Sequence, residues 1–205
     1  MIFLRNEKLT QYLKWYPVTS SIIVLNLLLF VMMELIGDTQ SNETLIRFGA
    51  MYGDSAQGIA PEYWRYFVSM FLHIGFTHLL FNCFSLYVFA PPLERLLGPF
   101  HYLVFYLFSG FAGNAASVVM HNEPYMSAGA SGAIYGLYAA YLFLALFRRG
   151  ALDLQSRQTI IIIVVIGVLY SVFMPEVNLY GHVGGFIGGW LLFWLLLRGR
   201  TRRQA

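Results

Sequence analysis

Ser131 and His182 each lie in a glycine-rich segment at the start of a long apolar run. Ser131 belongs to the segment Gly129-Ala130-Ser131-Gly132, in which small neighbours leave the hydroxyl uncrowded. A hydroxyl beside an imidazole can perform nucleophilic catalysis, because the imidazole takes the hydroxyl proton while the oxygen attacks a carbonyl carbon. The two residues therefore predict hydrolysis of an acyl bond, if the fold brings them together.

Each of these residues also has a purely structural interpretation. Serine is common where membrane helices pack closely, and for Ser131 alone that role explains the residue as well as catalysis does. A single histidine within an apolar helix often serves as a hydrogen-bonded packing residue. Gly185 and Gly189 follow His182 with the G-x-x-x-G spacing that permits close helix contact. We therefore expect the His182 face to lie against a neighbouring helix.

His78 and Asn82 are four residues apart in another apolar run, so on a helix they share one face. Two side-chain donors at one place suit the oxyanion of acyl transfer, where one donor lowers the barrier by about 3–4 kcal/mol. A polar contact between helices would be the better explanation if this pair stood alone. Tyr135, four residues after Ser131, is the best candidate to pack on the imidazole, since no acid is placed to orient it.

The sequence gives no support for metal-dependent or aspartyl chemistry. It has a single cysteine, Cys83, no H-E-x-x-H motif, and no apolar run that carries a pair of aspartates. His73 lies five residues before His78, which on one helix would place the two rings on different faces. We therefore expect neither a metal ion nor another cofactor.

The composition is that of a membrane protein. Of the 205 residues 58% are apolar and 11% charged, and the mean hydropathy is +0.61. Soluble domains average about 45–50% apolar and about 25% charged residues, so a soluble globular, disordered or free nucleic-acid-binding chain is excluded. The net charge is +3, but the basic residues lie in short clusters between apolar runs, which indicates membrane topology and no nucleic-acid partner.

A membrane-spanning helix needs about 20 mostly apolar residues, and six stretches meet that requirement. They predict an all-α membrane protein, in which one domain over residues 1–205 forms a bundle of six transmembrane helices. The loop of residues 37–63 between the first two spans contains Tyr52 and Tyr63 and is followed by Trp64, aromatic residues that favour the headgroup region, so it is expected to associate with the membrane surface. The predicted spans are residues 18–36, 66–90, 100–120, 127–147, 159–174 and 180–197.

An even number of spans places both termini on one side of the membrane. All 13 lysines and arginines except Arg47 and Arg65 fall on that side, which the positive-inside rule assigns to the cytoplasm. Spans four and six then both run inward from the outer face. Ser131 and His182 lie within about one helical turn of that face, at matching depth, so a hydrogen bond between them is feasible.

These motifs together resemble the rhomboid intramembrane serine proteases, over a region from Trp64 to Gly189. The order of the motifs along the chain, the side of the membrane on which they fall and their spacing all agree with that family. The matching motifs are Trp64-Arg65 in the first outer loop, His78-x-x-x-Asn82, Glu94-x-x-x-Gly98, Gly129-x-Ser131-Gly132 and His182-x-x-Gly185-x-x-x-Gly189.

The resemblance implies a six-helix core whose recessed, water-accessible site opens to the outer face. It implies that Ser131 is the nucleophile and His182 the general base. It also implies that His78, Asn82 and the Ser131 backbone N–H form the oxyanion hole, and that Tyr135 lies against the histidine. Substrates would be single-span membrane proteins cut in or near the lipid bilayer, without metal or cofactor. The compact form suggests a bacterial inner membrane.

Two other functions remain open at this point. A catalytically silent relative would bind client transmembrane helices without cutting them, but the presence of both Ser131 and His182 favours the enzyme. A small transporter or channel is disfavoured, because the intramembrane polar groups cluster toward the outer half. Span five lacks charges and strong packing motifs, so we expect substrates to enter laterally beside it.

Overall fold

The computed structural model describes residues 2–54, 57–148, 150–174 and 177–201, and over these residues the chain is predominantly helical. Two short strands and a 3-10 turn at Ser69–Phe71 complete it. The elements are α1 (Leu9–Trp15), α2 (Pro17–Ile36), α3 (Asn42–Phe48), β1 (Met51–Gly53), α4 (Arg65–Val68), α5 (Gly75–Leu97), α6 (Pro99–Met120), β2 (Tyr125–Ser127), α7 (Ser131–Phe147), α8 (Leu154–Phe173) and α9 (Leu179–Thr201).

Within the described part of the chain, five helices are long and apolar enough to cross a membrane: α2, α5, α6, α8 and α9. The remaining apolar helix, α7, has 17 residues, most of them buried. The predicted helical membrane bundle is thus confirmed, and the chain is an integral multi-pass membrane protein. The 17 residues of α7 rise only about 26 Å, which is less than a hydrocarbon core of about 30 Å.

The boundaries of the second and fourth spans differ from those expected. The second, expected at residues 66–90, is α5 at Gly75–Leu97, because extended backbone at Leu72 and a positive φ of 73° at Gly75 separate it from α4. The fourth, expected from residue 127, begins only at Ser131, because Ser127 is still part of a strand and Gly129 has a positive φ of 134°.

The helix α5 continues through Pro91 and Pro92, a pair that ordinarily ends a helix. Pro91 has no N–H to offer the carbonyl of Tyr87, four residues earlier. The hydroxyl of Tyr12 donates to that carbonyl instead, at 3.2 Å. An unsatisfied carbonyl is costly in lipid, so this contact from α1 helps α5 to extend past the prolines.

The fifth span also begins earlier than expected, at Leu154 instead of residue 159. Asp153 caps α8 by accepting hydrogen bonds from the Ser156 backbone N–H at 3.0 Å and the Ser156 hydroxyl at 2.6 Å. These bonds hold the pKa of the Asp153 carboxyl down at about 2. The cap therefore stays charged at the positive end of the helix dipole.

Arg65 of the Trp64-Arg65 pair holds the loop between α2 and α5 in place with hydrogen bonds to its backbone. Arg65 donates to the carbonyl of Ile46 at 2.7 Å and to that of Ala50 at 3.1 Å, which satisfies acceptors at the end of α3. β1 pairs antiparallel with β2, joining Met51 to Ser127. The loop is thereby anchored directly before the segment that leads into α7.

Glu94 of α5 is buried, and its carboxylate caps the first turn of α2. It accepts the backbone N–H of Val18 at 2.9 Å, and the N–H and hydroxyl of Thr19 at 2.8 and 2.6 Å. A helix N-terminus carries orphan N–H groups and a partial positive charge, so a buried carboxylate is a strong partner there. This contact ties the start of α2 to the end of α5.

The helices α6, α7 and α9 form the centre of the bundle and approach one another backbone to backbone. A Cβ atom added to Gly185 of α9 would lie 2.0 Å from the carbonyl oxygen of Gly132 in α7. One added to Gly189 would lie 2.5 Å from the Cα of Gly136. Only glycine permits this separation, as the G-x-x-x-G spacing predicts.

We expect Glu94→Gln to lower the free energy of unfolding by about 2 kcal/mol, because an amide NH2 then faces backbone donors and the charge-assisted bonds are lost. Thermal unfolding of the purified protein in detergent measures this. Glu123→Gln, at an exposed acid, is the control and should leave the unfolding midpoint unchanged. Equal midpoints for both variants would contradict the capping role.

We expect Gly185→Ala to push α9 away from α7 and to lower the unfolding midpoint by several degrees. The matched control is Gly199→Ala on the same helix, where a Cβ atom has nothing within 4 Å. That control should be neutral or slightly stabilising, because alanine is the better helix former. A Gly185→Ala variant as stable as the control would show that the two helices can separate without penalty.

Candidate active site

Ser131 is the first residue of α7, and the turn before it depends on Gly129. Gly129 has φ of +134°, a conformation that favours glycine, and its N–H donates to the carbonyl of Ser69 at 2.9 Å. A Cβ atom at Gly129 would also lie 2.6 Å from Cε1 of His78. The glycine therefore serves both the turn and the close approach of the His78 ring.

His182 lies one turn into α9, and its Nε2 is 2.8 Å from the Ser131 Oγ. The histidine is 7% exposed, while Ser131 is half-buried. The backbone contact between Gly132 and Gly185 fixes the separation of the two helices on which the pair stands.

The start of α9 is held by Asn178, a residue that the sequence interpretation did not single out. Its side-chain oxygen accepts the N–H of Gly181 at 2.8 Å, and its amide nitrogen donates to the hydroxyls of Ser117 and Ser127, each at 2.8 Å. Asparagine directly before an apolar helix is a typical N-cap, so this signal was available in the sequence.

Tyr135 stacks on the imidazole of His182, as expected from its place four residues after Ser131. The ring centroids are 4.0 Å apart and the planes differ by 13°. The Tyr135 hydroxyl lies 2.7 Å from the Oγ of Ser171, near the end of α8. Tyr135 therefore touches the histidine with its ring and the serine with its hydroxyl.

Ser171 is the residue that the sequence left without a role. Its Oγ is 2.7 Å from Nδ1 of His182 and 2.8 Å from the carbonyl of Gly167. A carbonyl can only accept, so the single Ser171 proton goes to Gly167, and the Ser171 oxygen accepts the Nδ1–H of the imidazole. In that tautomer Nε2 presents a lone pair to Ser131. A serine within an apolar run is a signal that the sequence contains, but no spacing rule connects α8 to α9.

His78 and Asn82 reach the site to different degrees. The His78 ring lies against Gly129, two residues before Ser131. The Asn82 amide nitrogen instead donates to the backbone carbonyl of His78 at 2.9 Å, one turn deeper in α5. The structure thus brings His78 to the serine segment, and no hydrogen bond among the described residues joins Asn82 to it.

The expected separation of His73 and His78 is wrong. Residue 73 precedes α5, so helical periodicity does not apply, and the two rings meet edge to face with centroids 5.3 Å apart. His73 is completely buried. Within the described ranges no group of three or more His, Cys, Asp or Glu side chains has the geometry to hold a metal ion.

The chain is similar to known proteases over most of its length. The sequence model of the rhomboid domain matches residues 60–199. The putative rhomboid protease YdcA of Bacillus subtilis (strain 168) is 35% identical over 202 residues, covering 98% of this chain and 100% of that protein. The rhomboid protease GluP of the same organism is 38% identical over 170 residues, 82% of this chain but only 32% of GluP.

A fungal relative extends the comparison beyond bacteria. The rhomboid-type serine protease 2 of Emericella nidulans is 33% identical over 131 residues, which is 62% of this chain and 26% of that protein. The domain match includes Ser131, His182, His78 and Asn82. With the domain model matching well over half of its length, the chain belongs to the rhomboid family.

Proposed function

We propose that this protein is an intramembrane serine endopeptidase in which Ser131 is the nucleophile and His182 the general base. The observation that carries the proposal is the 2.8 Å contact between Ser131 Oγ and His182 Nε2. Nε2 takes the hydroxyl proton as Oγ attacks the scissile carbonyl, and then returns it to the leaving amine. His182 then activates a water molecule in the same way, and the water attacks the acyl-enzyme and releases the acyl group from Ser131.

The developing oxyanion is stabilised at the start of α7. The backbone N–H of Ser131 points out of a helix N-terminus, where the helix dipole favours negative charge. His78, already against Gly129, supplies a side-chain donor. Asn82 becomes a second side-chain donor to the oxyanion only if its amide leaves the carbonyl of His78 and turns toward the substrate. Substrate binding would have to drive this rearrangement.

Ser171 and Tyr135 act as positioning residues for the imidazole. Ser171 fixes the tautomer by accepting from Nδ1, and Tyr135 fixes the plane of the ring by stacking. In this arrangement a neutral hydroxyl takes the place that a carboxylate occupies in a Ser-His-Asp triad. Burial makes a neutral partner less costly than a charged one at this depth.

The substrates we propose are transmembrane segments of other membrane proteins. The space beside Ser131 and His182 is a cavity of only about 10 Å3, so a peptide enters only if a neighbouring element moves. The helix α8 is the candidate, because it is the least buried of the five long apolar helices in the described part of the chain, with Ile162, Ile166 and Phe173 among its exposed side chains. The alternative, a client-binding protein without activity, does not explain the aligned Ser131–His182 contact.

The proposal extends to topology and location. Both termini would lie in the cytoplasm and the site would open toward the outer face, as the distribution of basic residues predicts. The two Bacillus subtilis relatives favour a bacterial cell membrane. Residues 1–205 would act as one catalytic domain.

We expect Ser131→Ala to abolish cleavage of a single-span reporter by the protein reconstituted in liposomes, because no other hydroxyl replaces the nucleophile. His182→Ala should do the same. Ser21→Ala, at an exposed serine of α2, is the matched control and should cleave at the wild-type rate. Cleavage by Ser131→Ala at the control rate would refute the proposed nucleophile.

We expect Ser171→Ala to lower kcat about 10- to 100-fold with little change in KM, which is less than the factor of about 10²–10⁴ supplied by general-base catalysis. Ser171→Thr keeps a hydroxyl and should recover most of the loss. Val172→Ala on the same helix is the control for packing. A raised KM with unchanged kcat would instead assign Ser171 to substrate binding.

A further inference from the structure

A second and much larger cavity lies at the opposite end of α7 from Ser131. It is an open cavity with a volume of about 870 Å3, bordered by the N-terminal segment, the ends of α5, α7 and α9, and the chain between α7 and α8. Ligand pockets commonly measure about 300–1,000 Å3. The proposed protease chemistry makes no use of this cavity.

Among the described residues, three arginines line this cavity and no acidic residue does: Arg5, Arg95 and Arg148. The Arg5 side chain is only 9% exposed. One of its terminal nitrogens pairs with Glu7 at 3.3 Å and the other donates to the carbonyl of Ile2. Its Nε is buried and has no hydrogen-bond partner among the described residues. A buried guanidinium donor without a partner is costly, so this nitrogen is available to an acceptor from a bound ligand.

Arg95 and Arg148 approach the cavity from the ends of α5 and α7. Both side chains are exposed, and no salt bridge to either is found within the described ranges. Three guanidinium groups around one space, with Glu7 as a partner for Arg5 alone, leave an excess of positive charge. Guanidinium groups bind phosphate oxygens with paired, charge-assisted hydrogen bonds.

The remainder of the cavity wall is largely apolar, with Leu96, Leu144 and Leu152 among its residues. A free phosphate ion would leave this apolar surface exposed to water, whereas a lipid would cover it with acyl chain. This end of the bundle also carries the basic clusters that predict the cytoplasmic face, where anionic lipids are enriched.

We propose that this cavity binds an anionic phospholipid, with the phosphate among Arg5, Arg95 and Arg148 and part of an acyl chain along the leucines. The bound lipid joins the N-terminal segment to the ends of α5 and α7. A ligand that binds only the folded state stabilises it, by an amount that grows with the logarithm of the ligand concentration once that concentration exceeds Kd. Lipid binding is therefore measurable as a rise in the unfolding midpoint, independently of proteolysis.

The experiment titrates the purified full-length protein, in neutral detergent, with phosphatidylglycerol, with phosphatidylcholine and with inorganic phosphate at constant ionic strength. Phosphatidylglycerol should raise the unfolding midpoint, and the other two should not. The double variant Arg95→Gln, Arg148→Gln should bind phosphatidylglycerol at least tenfold more weakly. Its matched control, Lys14→Gln with Arg157→Gln, removes the same charge outside the cavity and should bind like the wild type.

Three results would overturn the proposal. Equal affinity of the two double variants would show that general surface charge attracts the lipid. An equal rise of the unfolding midpoint with phosphatidylcholine would show that the negative charge of the lipid headgroup is not needed for binding. An equal shift with inorganic phosphate would make the lipid unnecessary. Ser131→Ala should bind phosphatidylglycerol like the wild type, so a failure of the proposed protease function would leave this result intact.

Discussion

The backbone contact between α7 and α9 is the constraint on which the rest of the structure depends. Gly132 and Gly136 of α7 lie against Gly185 and Gly189 of α9, so closely that a methyl group added to Gly185 or Gly189 would overlap backbone atoms of α7. In lipid, helices gain little from hydrophobic burial, and close van der Waals packing is a main source of their association. The same contact sets the distance between the serine and histidine side chains that these helices carry.

Around that contact, three polar groups find hydrogen-bond partners outside their own helices. Glu94 of α5 caps α2, Asn178 bonds to serines outside its own helix, and Tyr12 of α1 serves a carbonyl that a proline leaves free. Each unsatisfied group would cost several kcal/mol in hydrocarbon. These bonds therefore select one arrangement of helices that non-directional apolar packing alone would not specify.

The hydrogen bond between Ser171 and His182 links the candidate site to α8, the least buried of the five long apolar helices in the described part of the chain. The helix α8 exposes much of its apolar surface, yet Ser171 at its far end bonds to the imidazole and lies within reach of Tyr135. A displacement of α8 that admitted a substrate would also change the environment of the imidazole. If substrates enter beside α8, as proposed, their entry would therefore also affect the orientation of the proposed base.

The sequence by itself determined the helical membrane bundle, because about 20 apolar residues in succession have few other stable arrangements in lipid. It also indicated Ser131, His182 and Tyr135, since glycine spacing and the four-residue helical repeat are local properties. Only the tertiary structure decided that Ser171 holds the imidazole, that Glu94 caps α2 and that the rings of His73 and His78 meet. These contacts depend on how separate helices pack and where each one begins, which no local repeat in the sequence encodes.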